Sequence, residues 1–452
     1  MASFPFLNLP LELRDQIYSL YFKPADRLVR NDALNAKGYF GGVYAFDFDL
    51  CRVNRQVYKE AKRVWERENV FVKIATPWPS AGMYRVYLMS EEGLVWDDEG
   101  MGMVNHITSE GLVPIVCSDR FADSFTTHAS LVEITAPLHQ AVPEHTVVVL
   151  LDDLHLFTQT WFYSALSYPM LNDRLATTFS LRNPSTPLAL QEKLLLLFGE
   201  IKGLHHMEVT GYAPELKKKL TSLMAIPAPS VGTCCEEGAA LMATGDASLA
   251  ANNPQEALDT YLRAFAAIHI LIHGRTRRVL ADAFFHDAIT SGRFAGQSGT
   301  SVRVVLRLQL VSRCVLAQLQ LGHDADAAFW GMRTIHIMRD SLDVEFEDFL
   351  SDFIGGQDVA MIYLRTGVAL WRLEQFYRSR GVDTGEFGDE KSERIWGLAR
   401  KFLKGRKKAD VRAELRELGV PMEIVGGFGD AEEGDGSTSA KAGSPREDFE
   451  SE

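Results

Sequence analysis

The stretch "FLNLPLELRDQIYSLYF", residues Phe6–Phe22, has the pattern of a short amphipathic helix. Pro10 suits the first helical position, where its missing N–H is no loss, and Glu12 follows in the first turn, where a carboxylate favours the helix dipole. Apolar side chains then recur three and four positions apart, which places them on one face: Leu13, Ile17, Leu20 and Tyr21. The polar side chains are expected to point elsewhere: Arg14, Asp15, Gln16 and Ser19. Such an apolar stripe needs a partner surface, and the more common partner is the remainder of the same protein.

The chain has 452 residues and an ordinary globular composition, which predicts about two to four domains. It contains no apolar run long enough to span a membrane, and its start lacks a secretory pattern, so we expect an intracellular protein, cytoplasmic or nuclear, with no membrane partner. The five cysteines are an odd number without CxxC spacing. This favours reduced thiols over disulfides or a zinc site.

The formal net charge of −13 argues against nucleic acid as a partner, because phosphate binding needs an excess of lysine and arginine. Part of the negative charge lies in the last residues, "GDAEEGDGSTSAKAGSPREDFESE". This segment has almost nothing apolar to bury, so residues 426–452 are predicted to form a disordered acidic tail.

A second helical pattern, "LCRVNRQVYKEAKRVWERENVFV", follows the opening helix at Leu50–Val72 and ends in residues that favour a strand. Together with "LPLELRDQIYSLYF", it resembles the F-box-like N-terminal domain common in fungal proteins. In that family a Leu-Pro pair, here Leu9 and Pro10, opens the first helix, and a second helix begins Leu-x-x-Val-x-Arg. The resemblance implies that residues 1–75 form a small helical module that docks on the Skp-type adaptor of a cullin ubiquitin ligase. It implies these adaptor-binding residues: Leu9, Pro10, Leu13, Ile17 and Leu20.

Residues 76–228 change to short β-type runs, separated by Gly, Pro, Asp and Asn. Examples are "YRVYLM", "SLVEITAP", "HTVVVLL" and "TTFSL". The stretch "ALQEKLLLLFGEIKGLHHMEVTGY" predicts a helix, a turn at Gly203 and a strand. We therefore expect a mixed α/β segment, and an α+β protein as a whole.

Residues 229–425 have a helical composition. Thr233 and Glu236 have the spacing of a capping box, and Asn253 and Pro254 predict the start of the next helix. Small, small, aromatic and small residues follow at tetratricopeptide-like spacing: Gly245, Ala257, Tyr261 and Ala264. The small residues let two antiparallel helices approach closely while the tyrosine fills the space beside them. The region therefore resembles a tetratricopeptide-like helical domain.

One position of this repeat bears on its ligands. Tetratricopeptide clamps for acidic chaperone tails resemble one another in carrying an asparagine directly after the repeat glycine, where this chain has Asp246. An acid there would repel a terminal carboxylate. No clamp of that kind is expected.

The sequence offers few groups for catalysis. His269 and His273 are four apart in a predicted helix, but "HILIH" lacks the glutamate of HExxH, and the vicinal Cys234 and Cys235 have no nominated base. We therefore expect no metal, no cofactor and no enzyme. The interpretation we favour is a substrate-recruiting F-box-like adaptor with a protein client; the alternative is an interaction scaffold that uses a tetratricopeptide-like groove without any ligase.

Overall fold

The computed structural model has an α+β architecture. The residues that it describes are 5–35, 37, 39, 41–77, 113–139, 142–143, 145–340, 356–381, 391–403 and 408–428. They fall into two compact units, one within Met1–Cys234 and Val279–Thr300, the other within Cys235–Arg278 and Ser301–Glu452. The predicted strand "YRVYLM" and nearly all of the predicted tail lie outside the described residues.

The first unit begins with helices and one small strand pair. The helices are α1 Leu11–Tyr21, α2 Asp32–Asn35 and α3 Arg55–Glu68. Strands β1 Leu28–Val29 and β2 Val43–Tyr44 pair antiparallel. Asn54 caps α3 because its side chain accepts a 2.9 Å hydrogen bond from the backbone N–H of Val57.

A six-stranded sheet follows, in the order β4-β6-β3-β5-β7-β8. Its strands are β3 Phe71–Thr76, β4 Cys117–Ser118, β5 Ser130–Thr135, β6 His145–Leu150, β7 Ala176–Leu181 and β8 His206–Thr210. The β3–β5 and β7–β8 pairs are parallel and the other pairs antiparallel. Thr146–Leu150 are buried without interruption, as expected for a central strand covered on both faces. The longer helices of this part of the unit are α5 Leu154–Ser167, α6 Leu188–Leu195 and α7 Pro214–Ala225, and a short helix α4 spans Asp119–Asp123.

One hydrophobic core joins the first helices to this sheet. Tyr18 and Phe22 from the α1 segment and Trp65 from α3 pack with Phe71 of β3 and Val148 of β6. The rings of Trp65 and Phe71 lie 4.8 Å apart between centroids. Aromatic side chains bury large apolar areas, so this cluster fixes α1 and α3 on the sheet.

The segment boundaries predicted from the sequence, among them those at positions 75 and 426, remain predictions. In the structure, residues on both sides of position 75 share the core just described. At the other end of the chain, Phe428 is buried and the Arg400 guanidinium lies 4.8 Å from its ring centroid. Ordered packing therefore reaches two residues past the predicted start of the tail at position 426.

The second unit consists of helices and one β-hairpin in its described part. Its helices are α8 Val231–Ala250, which begins in the first unit, and α9 Pro254–Ala267, α10 Gly299–Gln320, α11 Asp324–Asp340, α12 Gly356–Ser379, α13 Ser392–Phe402, α14 Lys408–Glu417 and α15 Met422–Gly426. The hairpin strands are β9 Ile270–His273 and β10 Thr276–Val279.

The hairpin corrects the helix predicted through His269 and His273. Helix α9 ends at Ala267, and His269 has a positive φ of 56° that no continuing helix would allow. The residues that follow, "ILI", favour a strand, and Gly274, with φ 56°, supplies the turn. The two histidines are therefore not helical neighbours.

The start of α8 differs as well. The helix begins at Val231, and the hydroxyl of Ser230 accepts a 3.2 Å hydrogen bond from the backbone N–H of Thr233. Ser230 therefore caps the helix, and Thr233 lies inside it. At α9, Pro254 occupies the first turn as predicted, but Asn253 makes no side-chain cap hydrogen bond.

Helices α8 and α9 meet where the repeat-like residues lie. A Cβ atom at Gly245 would lie only 2.4 Å from Cε1 of Tyr261. Ala257, Tyr261 and Ala264 are fully buried. The absence of a side chain at position 245 therefore makes the space that the tyrosine ring fills.

We expect Gly245→Ala to destabilise the protein. Overpacking costs about 1–3 kcal/mol, which outweighs the gain of about 1 kcal/mol in helix propensity. Gly397→Ala is the matched control, because Gly397 lies inside α13 and a Cβ there meets nothing within 4 Å. Calorimetry should show a lower thermal midpoint for Gly245→Ala and an unchanged or higher one for Gly397→Ala; equal stabilisation by both substitutions would contradict the packing argument.

Candidate docking surface on the first helix

Three of the four side chains in the predicted apolar stripe of α1 face solvent, while the fourth, Tyr21, is half-buried and packs against the core. Leu13, Ile17 and Leu20 are 44%, 39% and 69% exposed. Their spacing of four and three residues places them on one side of the helix. Pro10 is also exposed, while Leu9 is half-buried. The more common expectation for such a stripe, that the rest of the protein covers it, does not hold for these three side chains.

The buried side of α1 carries an arginine. Arg14, Tyr18 and Phe22 follow one another at intervals of four, and all three are buried. Arg14 therefore points away from the apolar stripe, as expected, and the side of α1 on which it lies is the buried one. Its guanidinium forms two parallel hydrogen bonds with the Glu60 carboxylate of α3, from Nε to Oε2 at 2.9 Å and from Nη2 to Oε1 at 2.8 Å. This bidentate geometry is the strongest arrangement available to an arginine and a carboxylate.

The pair lies at the centre of a small polar network. Arg14 Nη1 donates to the carbonyls of Leu7 and Leu9, which ties the segment before α1 to the helix. Glu60 also accepts hydrogen bonds from the Tyr18 hydroxyl at 3.0 Å and from Gln56 Nε2 at 2.9 Å. The groups thus satisfy one another, as nearly buried polar groups must.

Ionisation of the network follows from these contacts. The hydrogen bond from Arg14 is the main cause that lowers the pKa of Glu60 to about 2. Burial, followed by the hydrogen bond to Glu60, raises the pKa of Tyr18 to about 12. Glu60 is therefore ionised and Tyr18 neutral across the physiological range.

A polar rim borders the network. Arg63 Nη2 lies 3.0 Å from both carboxylate oxygens of Asp15, Arg67 lies 3.6 Å from the same carboxylate, and Ser19 donates to Glu68. Exposed pairs of this kind contribute little to stability. They do place a second set of α1 side chains against α3 and leave the apolar stripe free.

Sequence reasoning missed the Arg14–Glu60 pair because its members are separated by 46 positions and no local pattern links them. A usable signal was the spacing of Tyr18 and Phe22, since two large aromatic residues four apart define a helix face that competes with the aliphatic stripe.

The repeat-like residues of the second unit form a separate cluster. The Tyr261 hydroxyl donates to Asp246 Oδ1 at 2.8 Å, and Arg313 Nε donates to the same carboxylate at 2.8 and 3.0 Å. Burial and the Asp246 carboxylate raise the pKa of Tyr261. The structure thus places Asp246 in contact with an internal cation and a hydroxyl.

The other candidate groups lie outside α1. Cys234, Cys235 and Cys314 are buried thiols, and burial raises the pKa of Cys235 to about 11 and that of Cys314 to about 12. Burial also lowers the pKa of His269 to about 3. Among the described residues, no three His, Cys, Asp or Glu side chains are placed to hold one metal ion. No helix in the described ranges is long and apolar enough to cross a bilayer.

Comparison with known proteins gave no match, whether with family models, with curated proteins or with solved structures.

The low pKa of Glu60 makes stability depend on pH. Because the folded-state pKa lies below the ordinary value of 4.5, the ionised carboxylate contributes stability that is fully present above about pH 4.5 and is lost as the pH falls toward 2. Glu60→Gln, which leaves Arg14 without its counter-charge, should lower the thermal midpoint by several degrees at pH 7. The difference in thermal midpoint between Glu60→Gln and wild type should be smaller at pH 3.5 than at pH 7.

Asp49→Asn is the control for this measurement, because Asp49 pairs with Arg52 on the surface, where both side chains are strongly exposed. It should change the midpoint by about 2 °C or less. A Glu60→Gln effect that stays the same at pH 7 and pH 3.5 would mean that the charge of Glu60 is not what stabilises α1.

Proposed function

We propose that the chain is an F-box-like adaptor whose first helix docks on the Skp-type subunit of a cullin ubiquitin ligase. The observation that carries the proposal is the exposed stripe of Leu13, Ile17 and Leu20 on a helix whose opposite side is fixed by Arg14 and Glu60. An amphipathic helix that presents apolar anchors at such spacing is one of the recurring ways in which proteins bind grooves on their partners. The Skp-type subunit is proposed as the partner because "LPLELRDQIYSLYF" resembles the F-box-like domain.

Two features of α1 favour binding to a partner: the apolar area that it would bury and the fixed position that it already has in the free protein. Full burial of a leucine or isoleucine side chain yields about 1.5–3 kcal/mol, so three such anchors offset much of the free energy that association costs. Leu7 and Leu11, at the start of this segment, are exposed as well. Because α1 is already held on the sheet, little conformational entropy remains to be lost on binding.

Recruitment of a protein client completes the proposal. The tetratricopeptide-like helices of residues 229–425 would bind it, since stacked helix pairs create extended concave surfaces. A scaffold without a ligase would share the exposed stripe of α1 but would not bind the Skp-type subunit, so one binding experiment separates the two functions.

The experiment measures binding of the full chain to a purified Skp-type subunit by calorimetry. Wild type should bind at micromolar concentration or better. Leu13→Asp and Ile17→Asp should each weaken binding at least tenfold, because each removes apolar burial and adds an unpaired charge to the interface. Gln297→Asp is the control, since it adds the same charge at an exposed polar position outside α1 and should bind as wild type does.

Circular dichroism should show the same helix content for all four proteins, because the substituted positions are exposed. Leu9→Ala and Pro10→Ala should give smaller losses, since they shorten side chains without adding charge. Folded wild-type protein that shows no binding at micromolar concentration would rule out the ligase function and leave the scaffold.

A further inference from the structure

Arg307 and Arg333, from two different helices, lie within electrostatic reach of Arg277 in the second unit. Arg277 belongs to β10, Arg307 to α10 and Arg333 to α11. Arg333 Nη1 donates to the carbonyl of Arg275 at 3.0 Å, which ties α11 to the hairpin beside Arg277. One turn before Arg307, Arg303 is buried and donates to the carbonyls of Ile268 and His269 at 2.9 and 3.0 Å, which ties α10 to the start of the same hairpin.

Arg277 has no counter-charge within the described part of the chain. Its Nη1 atom is buried and has no hydrogen-bond partner there. Arg275, two positions earlier, differs in this respect, because its Nε lies 3.1 Å from Asp326 Oδ1. Burial, and then the charges of Arg307 and Arg333, lower the pKa of Arg277 to about 10. The Arg277 guanidinium therefore still carries its charge at neutral pH.

A half-buried cation surrounded by like charges is unfavourable unless an anion joins it. Guanidinium groups present planar pairs of N–H donors that match the oxygens of phosphate. A carboxylate has only two oxygens, whereas a phosphate group offers three or four to donors that arrive from different directions. We propose that Arg277, Arg307 and Arg333 form a binding site for a phosphate group, carried either by a free anion or by a phosphorylated protein side chain. This site does not depend on adaptor docking by α1.

The test compares inorganic phosphate with sodium chloride at equal ionic strength, on the full chain. Phosphate should raise the thermal midpoint of wild type above its value in chloride, because a ligand that binds only the folded state stabilises it. Arg277→Gln should lose that increment, and calorimetry should show phosphate affinity reduced at least about tenfold, the loss expected when a charge-assisted donor is removed. Arg275→Gln is the matched control and should keep the increment, since Arg275 is paired with Asp326.

A second readout separates a ligand site from a structural role. In chloride alone, Arg277→Gln should match or exceed the wild-type midpoint, because it removes like-charge repulsion. Arg277→Lys keeps the charge but loses the planar fork, and should bind phosphate with an affinity between those of wild type and the glutamine variant.

The two sources of phosphate are distinguished with a phosphoserine peptide and its unphosphorylated counterpart, labelled for fluorescence anisotropy. Preferential binding of the phosphopeptide, lost in Arg277→Gln, would assign the site to phosphorylated proteins; binding of inorganic phosphate alone would assign it to a free anion. The proposal is overturned if neither binds, if phosphate stabilises wild type no more than chloride does, or if Arg277→Gln and Arg275→Gln respond alike.

Discussion

The orientation of α1 depends on the paired hydrogen bonds between Arg14 and Glu60. A nearly buried ion pair adds little net stability compared with apolar packing. It does require a specific geometry, and removing one partner leaves the other as an uncompensated buried charge. Rotating α1 to bury Leu13, Ile17 and Leu20 would leave Glu60 without its arginine and would expose Tyr18 and Phe22. Each of these aromatic side chains buries about 150–250 Å², so the observed rotation keeps both the larger apolar area and the ion pair. The exposure of Leu13, Ile17 and Leu20 is a consequence of this rotation of α1.

Much of the fold could be predicted from the sequence where the pattern is local. The strands at Ser130–Thr135, His145–Leu150 and Ala176–Leu181 and the helices at Asp324–Asp340 and Ser392–Phe402 follow from runs of β-branched residues or from helical periodicity. The turn at Gly203, with φ 70°, follows from a glycine between a helix and a strand.

What could not be predicted depends on contacts between distant residues or on one unusual backbone angle. The side of α1 that is buried is decided by Glu60, which lies 46 positions away. The hairpin after α9 depends on His269 adopting a positive φ, which a histidine rarely does. The arginine cluster could not be predicted either, because Arg277, Arg307 and Arg333 come from three elements and form no motif in the sequence. Clusters of this kind become visible only when the elements are placed in space.

Amide hydrogen exchange of the full chain, with and without a purified Skp-type subunit, tests the role of α1 most directly. Exchange reports local opening and contact along the backbone, element by element. If α1 is the docking element, the subunit should slow exchange in the peptides that cover residues 7–22 and leave those of α9 and α11 unchanged. Unchanged exchange in residues 7–22 at saturating subunit, or protection confined to other elements, would contradict the docking role of α1.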